Sequence, residues 1–252
     1  IKHRIDLEVL SDDELIKIGE LGSLREETKA FITSECSKVQ VKKTLKYPHR
    51  FIIEHQEATK SKQKQKKNVD SGFGNSSDKV ILPIYASDKN ITRSYRILDS
   101  IINTIDNMEG RINIGWESGE SKAYFILMHT VLYFKILEDG CNLLLEIDPI
   151  SVFCDIKSDK LIYWDDNENS LEEQVGKIIY DMFVVADRLY IAELLDEREQ
   201  KRKEIERERQ RKLEKMRKGE LEEIGVLQEA VSDWTKAQDI RRFADHLENK
   251  IS

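Results

Sequence analysis

The feature that most constrains this chain is a helical hydrophobic pattern that stops abruptly near Leu194. From Ser170, apolar side chains recur at spacings of three and four residues, which indicates an amphipathic helix. Residues 196–218 then hold three apolar side chains among four Glu–Lys pairs at i,i+4 spacing. Such pairs contribute about 0.2–0.5 kcal/mol each and, with high helix propensity, favour a helix that has little to pack against. The pattern predicts one helix over 170–218, roughly 70 Å long at 1.5 Å per residue.

A second apolar stripe follows this charged stretch. Gly219 and Gly225 permit a break, so we expect a returning amphipathic helix after them. If the chain folded back at Gly219, Trp234 would lie opposite residues near 204, where almost nothing is apolar. The stripe therefore needs another partner: the α+β body, a second copy or a different protein. The candidate partner-binding residues are Leu227, Val231, Trp234, Phe243 and Leu247.

The middle of the chain changes from helical to β periodicity. An extended segment at 80–84 carries a proline that favours a sheet edge, and a strongly amphipathic helix follows at 88–108, ended by Gly110. Short apolar runs between turn residues then predict strands at 111–116, 122–128, 131–137, 142–147, 152–156 and 160–164. We expect an α+β fold, with an antiparallel sheet, a covering helix, a helical N-terminal region and a long C-terminal helical extension.

Three short helices are predicted before the linker. Ser11 and Ser23 each stand three residues before a glutamate, which is capping-box spacing, and Pro48 opens a third helix. The first two helices are expected at 12–20 and 24–38. The domain organisation we expect is a small helical region with a basic end at 1–67, a flexible linker at 68–79, an α+β body at 80–165, and the long charged helix with its returning helix at 166–252.

The charge distribution limits where nucleic acid can bind. Charged residues make up 35% of the chain, and residues 110–196 carry 17 acidic against 7 basic side chains, which repels phosphate. Residues 41–67 carry 9 basic against 2 acidic side chains. No aromatic residue interrupts the lysines at 60–67, so base stacking is not supported, but phosphates could be neutralised without reading sequence. The candidate nucleic-acid-binding residues are Lys60, Lys62, Lys64, Lys66 and Lys67.

Cysteine and hydropathy patterns bear on the compartment. Three cysteines cannot all pair, and no two have the C-x-x-C spacing of a zinc or redox motif. No stretch approaches the ~18 consecutive apolar residues of a membrane span, and no secretory leader opens the chain. We therefore expect a cytoplasmic protein that binds no membrane.

Catalytic motifs are sparse in this sequence. There is no G-x-x-x-x-G-K-[ST], G-x-G-x-x-G or G-x-S-x-G, so P-loop, dinucleotide and nucleophile-elbow chemistries lose their markers. Asp106 with Glu120-x-Lys122 fits a minimal metal-dependent nuclease pattern, which arises easily by chance among 48 acidic residues. Glu146 and Asp148 share one strand face that could bind a divalent cation or simply be solvated. We assign no catalytic residue, metal or cofactor.

The order of features resembles a family of uncharacterised bacterial proteins in which a helix-turn-helix segment precedes a linker and a module like this one. The resemblance covers about residues 48–250. It rests on the Pro48-His49 helix start, the Arg-Ser-Tyr-Arg-Ile-Leu-Asp-Ser-Ile-Ile helix at 93–102, the strands, the long charged helix and the closing Trp234-x-x-Ala237-x-x-Ile240-Arg241. It implies association with DNA, although the helix-turn-helix is not evident in residues 1–47 and is expected upstream of Ile1.

These patterns predict a non-catalytic interaction or oligomerisation module of a bacterial cytoplasmic protein, acting as a homodimer or through a protein partner of the C-terminal helix. Two alternatives stay open. One is sequence-independent nucleic-acid binding through 41–67, and the other is a metal-dependent nuclease, for example in phage defence.

Overall fold

A computed structural model describes residues 4–19, 21–67, 82–117, 120–150, 159–165 and 169–251. The helices are α1 Asp12–Lys17, α2 Glu26–Lys38, α3 Arg50–Lys67, α4 Asp88–Asn107 and α5 Leu171–Ile251. The strands are β1 Ile84–Tyr85, β2 Arg111–Glu117, β3 Glu120–Leu127, β4 Thr130–Asp139, β5 Asn142–Ile150 and β6 Leu161–Trp164. The predicted α+β class is confirmed, with N-terminal helices and a long C-terminal helix.

Five strands form an antiparallel meander in the order β2-β3-β4-β5-β6. The short β1 adds to it by pairing parallel with β4, with Ile84 beside Ile136. Between β3 and β4 the chain turns at Met128 and His129, which both have positive φ (48° and 73°). Two positive φ values are what a two-residue primed hairpin turn needs, so this turn forms without the usual Asn-Gly signal.

The core lies on one face of the sheet. Along β4 and β5, buried residues alternate with partly exposed ones, as in a sheet that is covered on one side. Their buried side chains join those of α4 and of the first part of α5 in one apolar cluster. Examples are Phe134 from β4, Leu145 from β5, Leu98 from α4 and Met182 from α5.

α2 and α3 share this cluster through Ile32 and Ile52, and Leu24, just before α2, also belongs to it. Leu15 of α1 instead packs in a second cluster with Ile191 of α5. At α1 the predicted capping box is present: the Glu14 amide donates to Ser11 Oγ, and the Ser11 amide donates to the Glu14 carboxylate. The predicted cap at Ser23 is wrong, since α2 starts after Arg25, which makes no side-chain cap. Ser23 instead donates to a carboxylate of α5, described below.

α4 ends as expected near Gly110, but for a different reason. The residue with positive φ (60°) is Glu109, not the glycine. A Cβ at position 110 would lie 2.4 Å from Ile105 Cγ2 and 2.6 Å from Leu127 Cδ2. Gly110 is therefore needed for the close approach of the helix end to β3.

α5 is one continuous helix, so the predicted break at Gly219 or Gly225 and the returning helix are wrong. A glycine in a helix interior costs only about 1 kcal/mol relative to alanine. Both glycines here are surrounded by strong helix formers, and no proline follows them. Glycine permits a helix to end, but it does not require that.

The chain divides into two compact units, Ile1–Asp196 and Glu197–Ser252, with the division inside α5. The predicted linker at 68–79 and the predicted strand at 152–156 lie outside the described residues. The first unit holds the sheet, α1–α4 and the start of α5, and the second holds the rest of α5.

Candidate interaction surface

The second unit exposes large apolar side chains along much of its length. From 199 to 244, every residue except Gly219, Gly225 and Gln238 is exposed. The predicted partner-binding residues Leu227, Val231, Trp234 and Phe243 are 62–65% exposed. Leu247 lies in α5, but its side chain is outside the described part. In this part of the single chain, no apolar side chain of the stripe is buried.

Helical geometry sorts these residues into faces, since each residue advances by about 100°. Seven exposed apolar residues lie within about 60° of Leu227 around the helix axis. They are Ile205, Leu213, Met216, Ile224, Leu227, Val231 and Trp234, which we call the apolar face. Phe243 lies about 160° away from Leu227, so α5 does not bring it together with the other predicted residues. Leu221, also exposed, lies about 120° away.

Ion pairs along the helix surround this face. Glu197 contacts Lys201 at 2.7 Å and Glu199 contacts Lys203 at 2.5 Å, so two of the four predicted i,i+4 pairs are confirmed. Hydrogen bonds from the lysines lower the pKa of both glutamates below their usual value. Being exposed, these pairs support helix formation and bury no surface.

In the first unit, unlike the described part of the second, a buried charged residue anchors the beginning of α5. Asp187 is fully buried, accepts a hydrogen bond from Arg4 Nε at 3.2 Å and receives two more from the amide and hydroxyl of Ser23. The Arg4 guanidinium also lies 3.8 Å from the ring centroid of Tyr190. These contacts join segments more than 160 residues apart. In the sequence, the signal that could have predicted these contacts was Asp187, a single acidic residue on an otherwise apolar helix face.

A second charged cluster lies at the N-terminus of α5. Arg93 of α4 forms a two-bond pair with Asp165, at 2.5 and 2.6 Å, and also pairs with Glu172. Burial alone would raise the pKa of Asp165 and Glu172, but hydrogen bonds from Arg93 hold both below their usual values. Asp165 also accepts the amides of Leu143 and Leu171, so it joins β5 to the first turn of α5.

The lysine and arginine side chains of residues 41–67 are exposed at each position whose side chain the structure describes. Lys42, Lys43, Lys46, Arg50 and Lys60 are all exposed, and Tyr47 among them is 93% exposed. α3 runs through Lys62, Lys64, Lys66 and Lys67, whose side chains lie outside the described part. The segment thus presents cations and one aromatic ring.

The candidate nuclease residues are not brought together. Asp106 lies in the last turn of α4. The Gly110 amide donates to the Ile105 carbonyl, and this bond keeps the end of α4 next to the start of β2. Glu120 pairs with Glu117 at the other end of β2, about 20 Å away at the usual strand rise. The Lys122 ammonium lies 5.4 Å from the ring centroid of Tyr133. This arrangement gives no shared metal site.

Glu146 and Asp148 share a strand face as predicted, but lysines occupy it with them. Glu146 contacts Lys135 at 2.9 Å and Lys160 at 2.6 Å, and Lys160 lies 3.7 Å from Asp148. Although burial opposes it, hydrogen bonds from both lysines lower the pKa of Glu146. Two ammonium groups at these carboxylates oppose cation binding. Among the residues that the structure describes, no group of three or more His, Cys, Asp or Glu could hold a metal ion.

A cavity of about 660 Å³ opens between α2, the end of α4 and the β3–β4 turn. Its walls combine Phe31 and Met108 with Glu27, Arg111 and His129. Such a volume suits a small ligand. The mixture of apolar groups with both signs of charge does not select one ligand class.

No helix in the described ranges has the length and apolar character to cross a bilayer. No protein-family model, curated protein or solved structure matches the chain. The resemblance to helix-turn-helix proteins therefore stays a prediction.

Proposed function

We propose that this chain is a non-catalytic assembly module of a cytoplasmic bacterial protein, and that it self-associates through the apolar face of α5. One observation carries the proposal: a helix that contains seven large apolar residues on one face leaves all of them half to two-thirds exposed. Large apolar side chains exposed together on one helix face are typical of interaction sites.

The composition of the face supports this role. Its central residues Leu227, Val231 and Trp234 follow the spacing of four and three that a helix uses to pack against another helix. Tryptophan is enriched among the residues that dominate binding energy. The surrounding ion pairs keep the helix formed before its partner arrives, which lowers the ordering cost of association.

The test compares substitutions on the apolar face with a substitution on another face of the same helix. Leu227→Ala with Trp234→Ala removes the centre of the apolar face, whereas Leu221→Ala removes an equally exposed leucine about 120° away. Multi-angle light scattering should find twice the 29.5 kDa of the chain for the wild type and for Leu221→Ala. The double variant should dissociate at least tenfold more readily, since hot-spot truncations cost about 2 kcal/mol or more.

Circular dichroism checks that all three proteins keep their helix content. A wild-type protein that is monomeric at every concentration tested would overturn self-association. So would equal weakening by Leu221→Ala and by the double variant, because the effect would then not belong to one face.

Sequence-independent nucleic-acid binding through 41–67 is a second candidate function, favoured by the exposure of five cations and of Tyr47 in this segment. Lys42→Ala with Lys43→Ala should weaken binding to duplexes of unrelated sequence equally and reduce the salt dependence of the affinity. Exposed Lys201→Ala is the matched control. Undetectable or salt-independent affinity of the wild type would exclude this function.

A further inference from the structure

We propose that two copies of this chain pair their second units antiparallel. This inference rests on the proposed self-association and specifies its geometry. It follows from the charge order along the helix and from an apolar face that runs through both halves of the second unit.

The charge order is self-complementary in only one orientation. Residues 197–218 carry 11 basic and 6 acidic side chains, while residues 219–252 carry 4 basic and 8 acidic ones. An antiparallel pair places the basic half of each copy beside the acidic half of the other. A parallel, in-register pair would place basic against basic and acidic against acidic, within the distance at which exposed charges still interact.

The apolar face runs through both halves of the second unit. Leu213 lies in the basic half and Val231 in the acidic half, and both are exposed in the single chain. One surface that supplies both members of a contact favours a second copy over an unrelated partner, as in other two-fold interfaces.

Spin labels measure the orientation directly. Cys141→Ser and Cys154→Ser give a suitable background, because Cys36 is buried and burial raises the pKa of its thiol to about 11. Gln200→Cys places a label on the exposed face opposite Leu227. In an antiparallel pair in which residues 197–252 of the two copies overlap fully, the two labels are separated by roughly 70 Å along the helices. In a parallel pair they are about 10 Å apart plus the reach of the labels.

The same samples separate this inference from the proposed function. A dimeric mass with a long label distance supports both, and a dimeric mass with a short distance overturns the antiparallel geometry alone. A monomeric mass overturns self-association and the geometry with it. Raising the salt concentration should weaken the antiparallel dimer by screening attraction, whereas it would tighten a parallel one.

Discussion

The part of α5 in the first unit is stabilised by burial, whereas the part in the second unit is stabilised by helix propensity and ion pairs. Ile179 in the first unit is completely buried, whereas Ile205 in the second unit is 67% exposed. The first part packs an apolar face into the core, and the second is accompanied by i,i+4 ion pairs. A helix can thus continue without a core where propensity and charge favour it, and its apolar side chains are then left for another molecule.

The largest expected effect concerns the buried charge that anchors the first part. Asp187→Ala removes the partner of Arg4 and should lower the free energy of unfolding by about 3–5 kcal/mol, because it leaves a buried guanidinium uncompensated. The matched change Glu197→Ala breaks an exposed pair of the same helix and should leave unfolding unchanged. Urea titrations followed by circular dichroism measure both. Similar losses in the free energy of unfolding for the two variants would contradict the distinction between the buried and the exposed ion pair.

A smaller effect is expected for apolar truncation. Ile179→Ala leaves a cavity in the core and should cost about 2–4 kcal/mol. Ile205→Ala removes the same atoms from an exposed position and should change the unfolding of the monomer by less than about 0.5 kcal/mol. The comparison fails if both substitutions shift the urea midpoint of the monomer equally.

The smallest effect is a dependence on pH. Since Arg93 holds the pKa of Asp165 and Glu172 below their usual values, their contribution to stability is complete only above about pH 5. It is lost as the pH falls from there through the lowered values, because the unfolded chain takes up the protons first. Arg93→Met should therefore flatten the acid side of the stability profile. An identical acid slope in the wild type and the variant would contradict the role of this cluster.

Most of the sheet and the helices could be predicted from local patterns. Short apolar runs between turn residues marked β4 and β5, and i,i+3/i+4 spacing marked α4. The continuity of α5 could not be predicted from Gly219 and Gly225, because a glycine only permits a helix to end. The role of Ser23 was missed because Asp187, its partner, is 164 residues away.

The candidate surface was predicted in part. Leu227, Val231 and Trp234 were identified from their spacing, and the continuous helix adds Ile205, Leu213, Met216 and Ile224 to the same face. Ile205, Leu213 and Met216 were missed because the assumed break at Gly219 separated them from the later stripe, and Ile224 because it lies before the second assumed break at Gly225. Phe243 was wrongly grouped with the stripe, because an advance of about 100° per residue places it about 160° from Leu227 in any helix that contains both residues.

Hydrogen exchange read by mass spectrometry tests the central claim, that the apolar face of the second unit is covered by a second copy. The wild type and the Leu227→Ala, Trp234→Ala variant are compared at one concentration. We expect slower amide exchange over 205–234 in the wild type and equal exchange over 171–195, since protection follows burial. Equally fast exchange of both proteins over 205–234 would contradict the account.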